Sequence, residues 1–471
     1  MRDVVVIGAG LAGLVAAARL VETGNSVTLV SKGLGGLQLG QGTIDVLGYR
    51  AGDAGGPREF VEDPLRVVDA LAVNEDGSDH PYRHFSGDEV SQALEWLKKV
   101  MGPGLLTGDG SKNYRLPTAL GALRPTALPQ PSMISGQPDG RPIVLVGFER
   151  FKDFYPDLVA ENLRRQKDSE GNPIQARAIW VDLVAREGEV DTSGIGFARA
   201  LDRPEVQRRL CELVKPLLKD TGRPAPQGQT KETSDPRNKE VVGFPAILGI
   251  DDPDAWRKIA DCLGHDVFEV PVQPPSVPGM RLNEHLLRMV KSGVTDPESV
   301  AATPGQTGVQ AGTGARIING APVIGFDIEE GEDGKRLTAV IVSSAGHPRR
   351  IEAKEFVLAT GGFESGAIKM DSYDHVSESL LDLPLAGVEG EMIHGDYWGK
   401  DQPLFKVGLR VDPEMRPLDA EGIPVFSNLR AAGGIIGGSV RWREKSGDGV
   451  ALVTGLRAAD SIAADLNGGT K

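Results

Sequence analysis

The sequence predicts an α/β protein in which the two ends of the chain form one doubly wound domain around a large inserted region. Two strand-like runs, residues 4–7 and 350–359, each lead into a glycine-rich turn although they lie far apart in the chain. Between them, helical segments such as 86–100 and 204–219 alternate with proline-rich stretches. Strands that alternate with helices are typical of a sheet covered by helices on both faces.

The first thirty residues carry the strongest local pattern. A β-branched run at 4–7 is followed by Gly8, Gly10 and Gly13 at the start of a helix-forming stretch. Gly8 permits a tight turn, Gly10 lets the backbone approach a pyrophosphate, and Gly13 lets the helix pack closely on the strand. The helix N-terminus adds unpaired N–H groups and a positive dipole. The pattern predicts a Rossmann-like FAD/NAD(P)-binding domain.

The end of the second strand helps to distinguish the possible dinucleotides. The position where a carboxylate would bind the ribose of NAD holds Ser31 and Lys32 instead. Ser31 can still bind a ribose and Lys32 favours a phosphate, so FAD fits at least as well as NAD. The Gly-rich loop that follows resembles the loop that runs along the flavin in flavoproteins of the succinate-dehydrogenase and fumarate-reductase type. The resemblance implies that Gln41, Gly42 and Thr43 lie near a flavin ring, and the alternative is a flexible solvent loop.

Further cofactor contacts are expected from the second half of the chain. The strand at 350–359 enters a Thr-Gly turn, a second Gly-rich turn spans 428–438, and a helix is predicted over 450–466. The start of that helix suits the O2 atom and the N1 charge of a reduced flavin. The expected cofactor residues here are Thr360, Gly361, Gly433, Gly434, Gly449 and Val450.

These patterns predict a division of the chain into two parts. Residues 1–50 and 305–471 are expected to form one discontinuous flavin-binding domain. Residues 51–304 are expected to form an inserted α+β capping and partner-binding region, with a surface loop at 221–238.

Composition excludes several classes of function. Lysine and arginine total 52 against 66 acidic residues, a net charge of −14, which argues against nucleic-acid binding. The only cysteines, Cys211 and Cys262, cannot provide a disulfide scaffold, a zinc site or an iron–sulfur cluster by themselves. We predict no metal site and a reducing, cytoplasmic location. No uncharged apolar run reaches the length of about 18–20 residues that spans a bilayer, so direct membrane insertion is not expected.

Six stretches, in order along nearly the whole chain, resemble the B subunit of anaerobic glycerol-3-phosphate dehydrogenase. The glycine motif at 8–13 and the turn at 358–366 are common to many flavoproteins, as is the turn at 428–438. The loop at 41–47 and the Pro-Pro-Ser-Val-Pro-Gly-Met-Arg-Leu stretch at 274–282 are more diagnostic, and the stretch at 147–154 also matches.

The resemblance implies that the chain is one subunit of a complex that oxidises sn-glycerol 3-phosphate to dihydroxyacetone phosphate. It implies a flavin-bearing catalytic A subunit, an iron–sulfur, membrane-associated C subunit, and electron transfer to menaquinone in fumarate or nitrate respiration. The chain would then lie peripherally at the inner face of the cell membrane through its partners. Descriptions of the family give the B subunit an FMN, whereas the glycine loop favours FAD, so FMN is the alternative.

Catalytic candidates follow from the chemistry of alcohol oxidation, which needs a base near neutral pKa and cations for a phosphate. We take His394 as the candidate base and Arg281 as the candidate phosphate ligand. His285 lies in a helical stretch typical of packing residues, and Arg281 could instead pair with a carboxylate. Arg316 and Arg410 are the remaining candidate cations.

Three functions remain open at the level of the sequence. The first is a flavin-containing component that takes part in dehydrogenation. The second is a non-catalytic relay or scaffold whose flavin passes electrons while the A subunit performs the chemistry. The third is an independent flavin oxidoreductase of the fumarate-reductase or ketosteroid-dehydrogenase type. That type should show a histidine for covalent flavin attachment or an arginine-rich dicarboxylate site, and neither is evident.

Overall fold

The computed structural model describes residues 1–51, 58–73, 79–218, 239–293, 314–331, 334–344, 346–396 and 399–468. The predicted surface loop at 221–238 lies outside these residues. The helices are α1 (Leu11–Glu22), α2 (Pro64–Val73), α3 (Gly87–Met101), α4 (Pro156–Arg164), α5 (Gly194–Leu201), α6 (Pro204–Val214), α7 (Ala255–Leu263), α8 (Val277–Ser292), α9 (Arg441–Glu444) and α10 (Gly447–Gly468). The strands are β1 (Arg2–Ile7), β2 (Val27–Ser31), β3 (Tyr49–Arg50), β4 (Glu59–Phe60), β5 (Tyr114–Pro117), β6 (Leu123–Thr126), β7 (Ile143–Phe148), β8 (Ala176–Val181), β9 (Val241–Pro245), β10 (Val267–Val270), β11 (Arg316–Asn319), β12 (Val323–Gly331), β13 (Gly334–Val342), β14 (Arg349–Leu358), β15 (Ile368–Met370), β16 (Val376–Glu378) and β17 (Leu429–Ala431).

The main sheet joins the two ends of the chain. Strands β11, β2, β1, β14 and β17 lie side by side in that order and run parallel. Antiparallel β13 and β12 extend the sheet along the first half of β14. The apolar residues of β1, such as Val4 and Val5, are fully buried, as expected for a parallel strand covered on both faces. The predicted Rossmann-like fold is confirmed.

Helices α1 and α10 pack against each other, although they come from opposite ends of the chain. Leu14 and Val15 of α1 are fully buried. On α10, a side chain at Gly455 would place its Cβ 2.7 Å from the Ala12 carbonyl oxygen. A glycine at this position therefore lets the two helices approach each other closely.

The inserted region contains a second parallel sheet, which the sequence did not predict. Its strands lie in the order β10, β9, β7, β8, and each neighbouring pair is parallel. Helix α4 connects β7 to β8, α5 and α6 connect β8 to β9, and α7 connects β9 to β10. The pairs β3–β4 and β5–β6 are short and antiparallel. The region is thus mixed, with a small doubly wound unit at its centre.

The residues of the inserted region belong to two separate hydrophobic cores. The main core draws on buried residues within 4–128 and 282–462, and the second core on residues within 123–277. Helix α8 crosses from one to the other, because Val277 belongs to the second core whereas Leu282 and Leu286 belong to the main core. The diagnostic stretch at 274–282 therefore forms the junction between the two units.

Arg281, the candidate phosphate ligand, is buried at this junction. Its guanidinium donates to Glu269 at 2.7 Å and to the side-chain oxygen of Gln130 at 3.2 Å. It also donates to the carbonyl oxygens of Leu248 and Gly249. The arginine is thus engaged in the carboxylate pairing that was its alternative role. A phosphate would have to displace these bonds.

Replacing Arg281 tests this structural role. Arg281→Met leaves Glu269 buried without its partner, so we expect a loss of about 3–5 kcal/mol in the free energy of unfolding. Arg165→Met is the matched control, because Arg165 pairs with Glu161 on the surface at 2.7 Å, and such pairs contribute less than about 1 kcal/mol. Urea unfolding measures both variants. Equal stability in the two variants, with activity lost only in Arg281→Met, would instead favour a direct catalytic role.

Candidate functional site: a dinucleotide cradle at the carboxyl edge of the main sheet

The predicted glycine motif lies where β1 meets β14. Gly8 has a φ of +116°, and a Cβ there would overlap the carbonyl oxygen of Ala359. A Cβ at Gly13 would overlap the carbonyl oxygen of Gly8. Both positions therefore exclude larger residues, and the turn is held tightly between the strand, the helix and the end of β14.

Gly10 behaves differently from its two neighbours in the motif. It is the N-cap of α1, and no side chain caps the helix there. A Cβ added at Gly10 would meet no atom of the described chain within 4 Å. The start of α1 thus offers backbone N–H groups and a positive dipole at a point where the chain leaves room for a pyrophosphate.

Ser31 and Lys32 lie at the same edge, at the end of β2. Ser31 is buried, and its hydroxyl bonds to the carbonyl and the amide of Gly33. The Lys32 ammonium is exposed and donates to the carbonyl oxygen of Ser365 at 2.8 Å. Lys32 therefore links the end of β2 to the turn that follows β14.

The turn after β14 contains an unsatisfied polar group. The Thr360 hydroxyl oxygen is buried and has no hydrogen-bond partner among the described residues. Gly361, which follows, has a φ of +79° that favours glycine. A buried hydroxyl without a partner is costly, so this atom is suited to bind a polar group of a ligand.

The late glycine turn packs against both of the earlier ones. A Cβ at Gly433 would lie 2.8 Å from that of Ala12, and the Gly433 amide donates to the Thr454 hydroxyl at 2.9 Å. A Cβ at Gly362 would lie 2.6 Å from the carbonyl oxygen of Gly434. The structure thus brings together the three turns that the sequence predicted separately.

Arg441, which the sequence analysis did not single out, lies between two of these turns. A Cβ at Gly434 would be 3.3 Å from its guanidinium carbon, and one at Gly362 would be 2.7 Å from its Nη2. Nη2 donates to Glu364 at 3.2 Å. A mostly buried cation next to two glycine turns suits a negatively charged ligand, but no sequence motif marks it.

The predicted ring-facing loop is organised by Arg124, another residue that the sequence analysis missed. Arg124 donates to the Gln41 side-chain oxygen at 2.8 Å and to the Thr43 hydroxyl at 3.3 Å, and it forms an ion pair with Asp45. Arg124 lies on β6, in the region predicted as an insertion. A lone arginine gives no signal in the sequence that it will bind a loop about 80 residues away.

The two diagnostic stretches of the sequence contact each other. Gly42 has a φ of +75°, and a Cβ there would overlap that of Pro278. Gln130 donates to the carbonyl oxygens of Gly42 at 3.0 Å and of Pro278 at 2.9 Å. A Cβ at Gly279 would also lie 2.8 Å from the Gly40 carbonyl oxygen. The start of α8 therefore fixes the position of the 41–47 loop.

Helix α10 begins earlier than the sequence predicted. It starts at Gly447 rather than Val450, so the Val450 amide bonds to the Ser446 carbonyl oxygen at 3.0 Å. The Gly449 amide donates to the Asp45 carbonyl oxygen at 2.9 Å. Both amides expected to face a flavin oxygen are thus bonded within the chain.

A buried carboxyl group lies beside this helix start. The Asp448 carboxylate accepts from the amide of Asp45 at 3.3 Å. Burial and the nearby Asp45 raise the pKa of Asp448 to about 7, although Arg124 opposes the shift. This side chain can therefore hold or release a proton near neutral pH.

His394, the candidate base, is half-buried in the segment before α9. Its Nε2 lies 3.3 Å from the Asp401 carbonyl oxygen, and its Nδ1 lies 3.3 Å from the Gln402 side-chain nitrogen. Asp401 in turn forms ion pairs with Arg58 at 2.7 Å and with Arg443 at 2.8 Å. Both ring nitrogens thus have partners within the segment, and the catalytic role of His394 remains a prediction.

The arrangement fits an adenine dinucleotide. Gly10 leaves room at an uncapped helix start, Thr360 offers an unpaired hydroxyl, and three glycine turns meet at one sheet edge. Ligands of open α/β sheets bind outside the carboxyl ends of the strands, where these groups lie. Among the described residues, no cluster of three or more His, Cys, Asp or Glu side chains could hold a metal ion.

Comparison with known proteins identifies the family. Residues 3–450 match the family model described as an FAD binding domain. A protein of Halobacterium salinarum, named as the probable B subunit of anaerobic glycerol-3-phosphate dehydrogenase, is 33% identical over 98% of this chain and 97% of its own length. The chain belongs to this B-subunit family of FAD-binding proteins. The predicted resemblance and the choice of FAD are confirmed.

Other members and structures match over similar lengths. The B subunit of anaerobic glycerol-3-phosphate dehydrogenase from Yersinia pestis is 26% identical over 98% of both chains. The crystal structure of 3-ketosteroid Δ1-dehydrogenase from Sterolibacterium denitrificans aligns with a TM-score of 0.42 at 14% identity, and covers 98% of this chain and 99% of that one. Among the residues that the structure describes, no helix is both long and apolar enough to cross a bilayer.

Substitution of Gly10 separates cofactor binding from folding. An alanine there meets no atom of the described chain within 4 Å and keeps an ordinary φ of −74°. We therefore expect Gly10→Ala to leave the melting temperature of the apoprotein unchanged but to weaken FAD binding at least tenfold, because its methyl group occupies the path of the pyrophosphate. Gly395→Ala, also without near neighbours, is the control. Unchanged FAD affinity, measured by flavin fluorescence, would contradict the assigned cradle.

The raised pKa of Asp448 predicts a pH dependence of stability. The folded-state pKa of about 7 exceeds the ordinary aspartate value of 3.8, so folding favours the protonated form. The resulting stability is lost as pH rises from about 4 to 7, and the loss levels off above pH 7. Between pH 5 and 8, the free energy of unfolding of the wild-type apoprotein should fall by about 2–3 kcal/mol more than that of Asp448→Asn. Asp261→Asn, on the exposed side of α7, should follow the wild type. Parallel pH profiles for wild type and Asp448→Asn would show that Asp448 is ionised throughout.

Proposed function

We propose that the chain is the flavoprotein B subunit of a respiratory, anaerobic glycerol-3-phosphate dehydrogenase. In this proposal the complex oxidises sn-glycerol 3-phosphate to dihydroxyacetone phosphate and passes electrons to menaquinone in fumarate or nitrate respiration. The observation that carries the proposal is the end-to-end match to the Halobacterium salinarum protein, 98% of this chain and 97% of that one. The contact between the two diagnostic stretches supports it, since both belong to one site.

The chain's own residues would bind and orient the cofactor. FAD, when bound, supplies the acceptor for a hydride. The start of α1 would hold the pyrophosphate, and Arg441 would complement negative charge next to the turns. The loop at 41–47, fixed by Arg124 and Gln130, would border the ring. Asp448 is placed to hold a proton at neutral pH beside this loop, and His394 remains the candidate base.

The relay or scaffold role is the second candidate. Two observations favour it: the Arg281 guanidinium is bonded within its own chain, and both ring nitrogens of His394 have partners. In this version the A subunit performs the chemistry. One-electron carriers would come from an iron–sulfur C subunit, because this chain has only two cysteines. The same partners would hold the chain at the inner face of the cell membrane.

Reconstitution tests the proposal. We expect the chain to co-purify with a flavin-bearing A subunit and an iron–sulfur C subunit, and the complex to reduce a dye or a menaquinone analogue with glycerol 3-phosphate. Failure to assemble, or assembly without turnover, would contradict the proposed function.

The cofactor-deficient Gly10→Ala chain distinguishes the versions within the same complex. If the flavin of this chain takes part, either in dehydrogenation or as a relay, quinone reduction should fall at least tenfold while assembly persists. Dye reduction that survives in this variant would assign dehydrogenation to the A subunit. Full quinone reduction would leave only a scaffold role for this chain.

A further inference from the structure

A cavity of about 380 Å³ opens beside the late glycine turn. It lies where the short helix Pro81–His84 meets the segments 406–411 and 436–438. Ligand sites in proteins commonly have volumes of about 300–1,000 Å³. The cavity is therefore large enough for a small metabolite.

The wall of the cavity is built by close backbone contacts. Leu409 pairs with Ile436 in a β-bridge, and the Gly438 amide donates to the Lys406 carbonyl oxygen at 2.8 Å. A Cβ at Gly408 would lie 2.6 Å from the Gly437 Cα. This crossing fixes the backbone on which Lys406 and Arg410 are carried. It also joins the cavity wall to the turn that contains Gly433 and Gly434.

Cationic side chains dominate the lining. The described residues that line the cavity include three cationic side chains, those of Arg83, Lys406 and Arg410, and one acidic side chain, that of Asp79. Asp79 pairs with Arg83 at 2.9 Å. The net charge of the whole chain is −14, so the excess of positive charge at this cavity is opposite in sign to the charge of the chain as a whole. Such a cavity favours an anion.

Arg410 has positive charge available for a ligand. One of its terminal nitrogens donates to the carbonyl oxygens of Asp419 at 2.6 Å and Ala420 at 3.0 Å, which hold the side chain in place. No described carboxylate forms an ion pair with it within 4 Å. Lys406 has one distant ion pair, to Asp401 at 3.9 Å, and that carboxylate also pairs more closely with Arg58 and Arg443. Arg410 thus has no carboxylate partner among the described residues, and Lys406 shares its distant partner with two arginines.

The remaining lining suits an organic anion rather than a bare ion. Burial, and then Arg83, lower the pKa of His84, so its imidazole is neutral at neutral pH and can exchange hydrogen bonds with hydroxyl groups. Apolar groups cover the rest of the wall: Pro81, Ala386, Leu409, Val411, Leu418 and Ile436. A charged group bound at the cations would leave a short carbon chain against these residues.

We propose that this cavity binds a small phosphate ester, with the phosphate between Lys406, Arg410 and Arg83 and the carbon chain near His84. The choice of a phosphate ester over other anions rests on the proposed function. A phosphate carries up to two charges on one centre and accepts bonds from guanidinium and ammonium groups together. The cavity would give this chain its own contact with the phosphorylated substrate or product.

Calorimetric titration of the FAD-loaded chain, without partners, tests the proposal. We expect saturable binding of glycerol 3-phosphate at one site, weaker binding of inorganic phosphate and no binding of glycerol. Lys406→Gln and Arg410→Gln should each weaken the affinity at least tenfold. Arg165→Gln, an exposed residue that follows α4, should not change it. Lys406→Gln keeps the test valid if Arg410→Gln misfolds, since Lys406 is half exposed.

Three results would overturn the proposal: no saturable heat with either phosphate compound, unchanged affinity in both variants, or tighter binding of succinate than of glycerol 3-phosphate. The last result would assign the cavity to dicarboxylates. Binding to the isolated chain is independent of turnover by the complex. A complex that turns over while the chain shows no binding would therefore refute only the cavity, whereas binding without turnover would refute only the proposed function.

Discussion

The parallel pairing of β1 with β14 is the contact on which the rest of the site depends. Val4 to Ile7 of β1 lie beside Glu355 to Leu358 of β14, so the two strands end at the same level. The paired residues are more than 350 positions apart in the chain. This pairing brings Gly8 against Ala359. Any Cβ at Gly8 would separate the strands, and the turns that follow each strand would no longer meet. The cradle is therefore a property of the sheet rather than of either turn alone.

The inserted region contributes to the cradle through α8. Because this helix starts in the second core and continues into the main core, it couples the smaller parallel sheet to the 41–47 loop. The buried bonds of Arg281 and Gln130 fix its first turn. The position of the 41–47 loop, which is predicted to face the flavin ring, thus depends on residues outside the predicted flavin-binding domain.

The sequence could predict the features that depend on neighbouring residues, but not those that depend on contacts between distant segments. The strand–glycine–helix order around Gly8, Gly10 and Gly13 depends on neighbouring residues, so it could be recognised directly. Arg124, Arg441 and the raised pKa of Asp448 depend on contacts between segments far apart in the chain, and they left no local pattern. The second parallel sheet was missed for the same reason. The start of α10 was misplaced by three residues because three polar or glycine residues precede the apolar spacing.

A crystal structure of the chain reconstituted with FAD tests the central claim most directly. The account requires the pyrophosphate to lie within hydrogen-bonding distance of the first amides of α1, with the isoalloxazine beside the 41–47 loop and the Thr360 turn. One FAD per chain in that place would support the account. Density for FAD at the second parallel sheet, or a pyrophosphate away from Gly10, would contradict it.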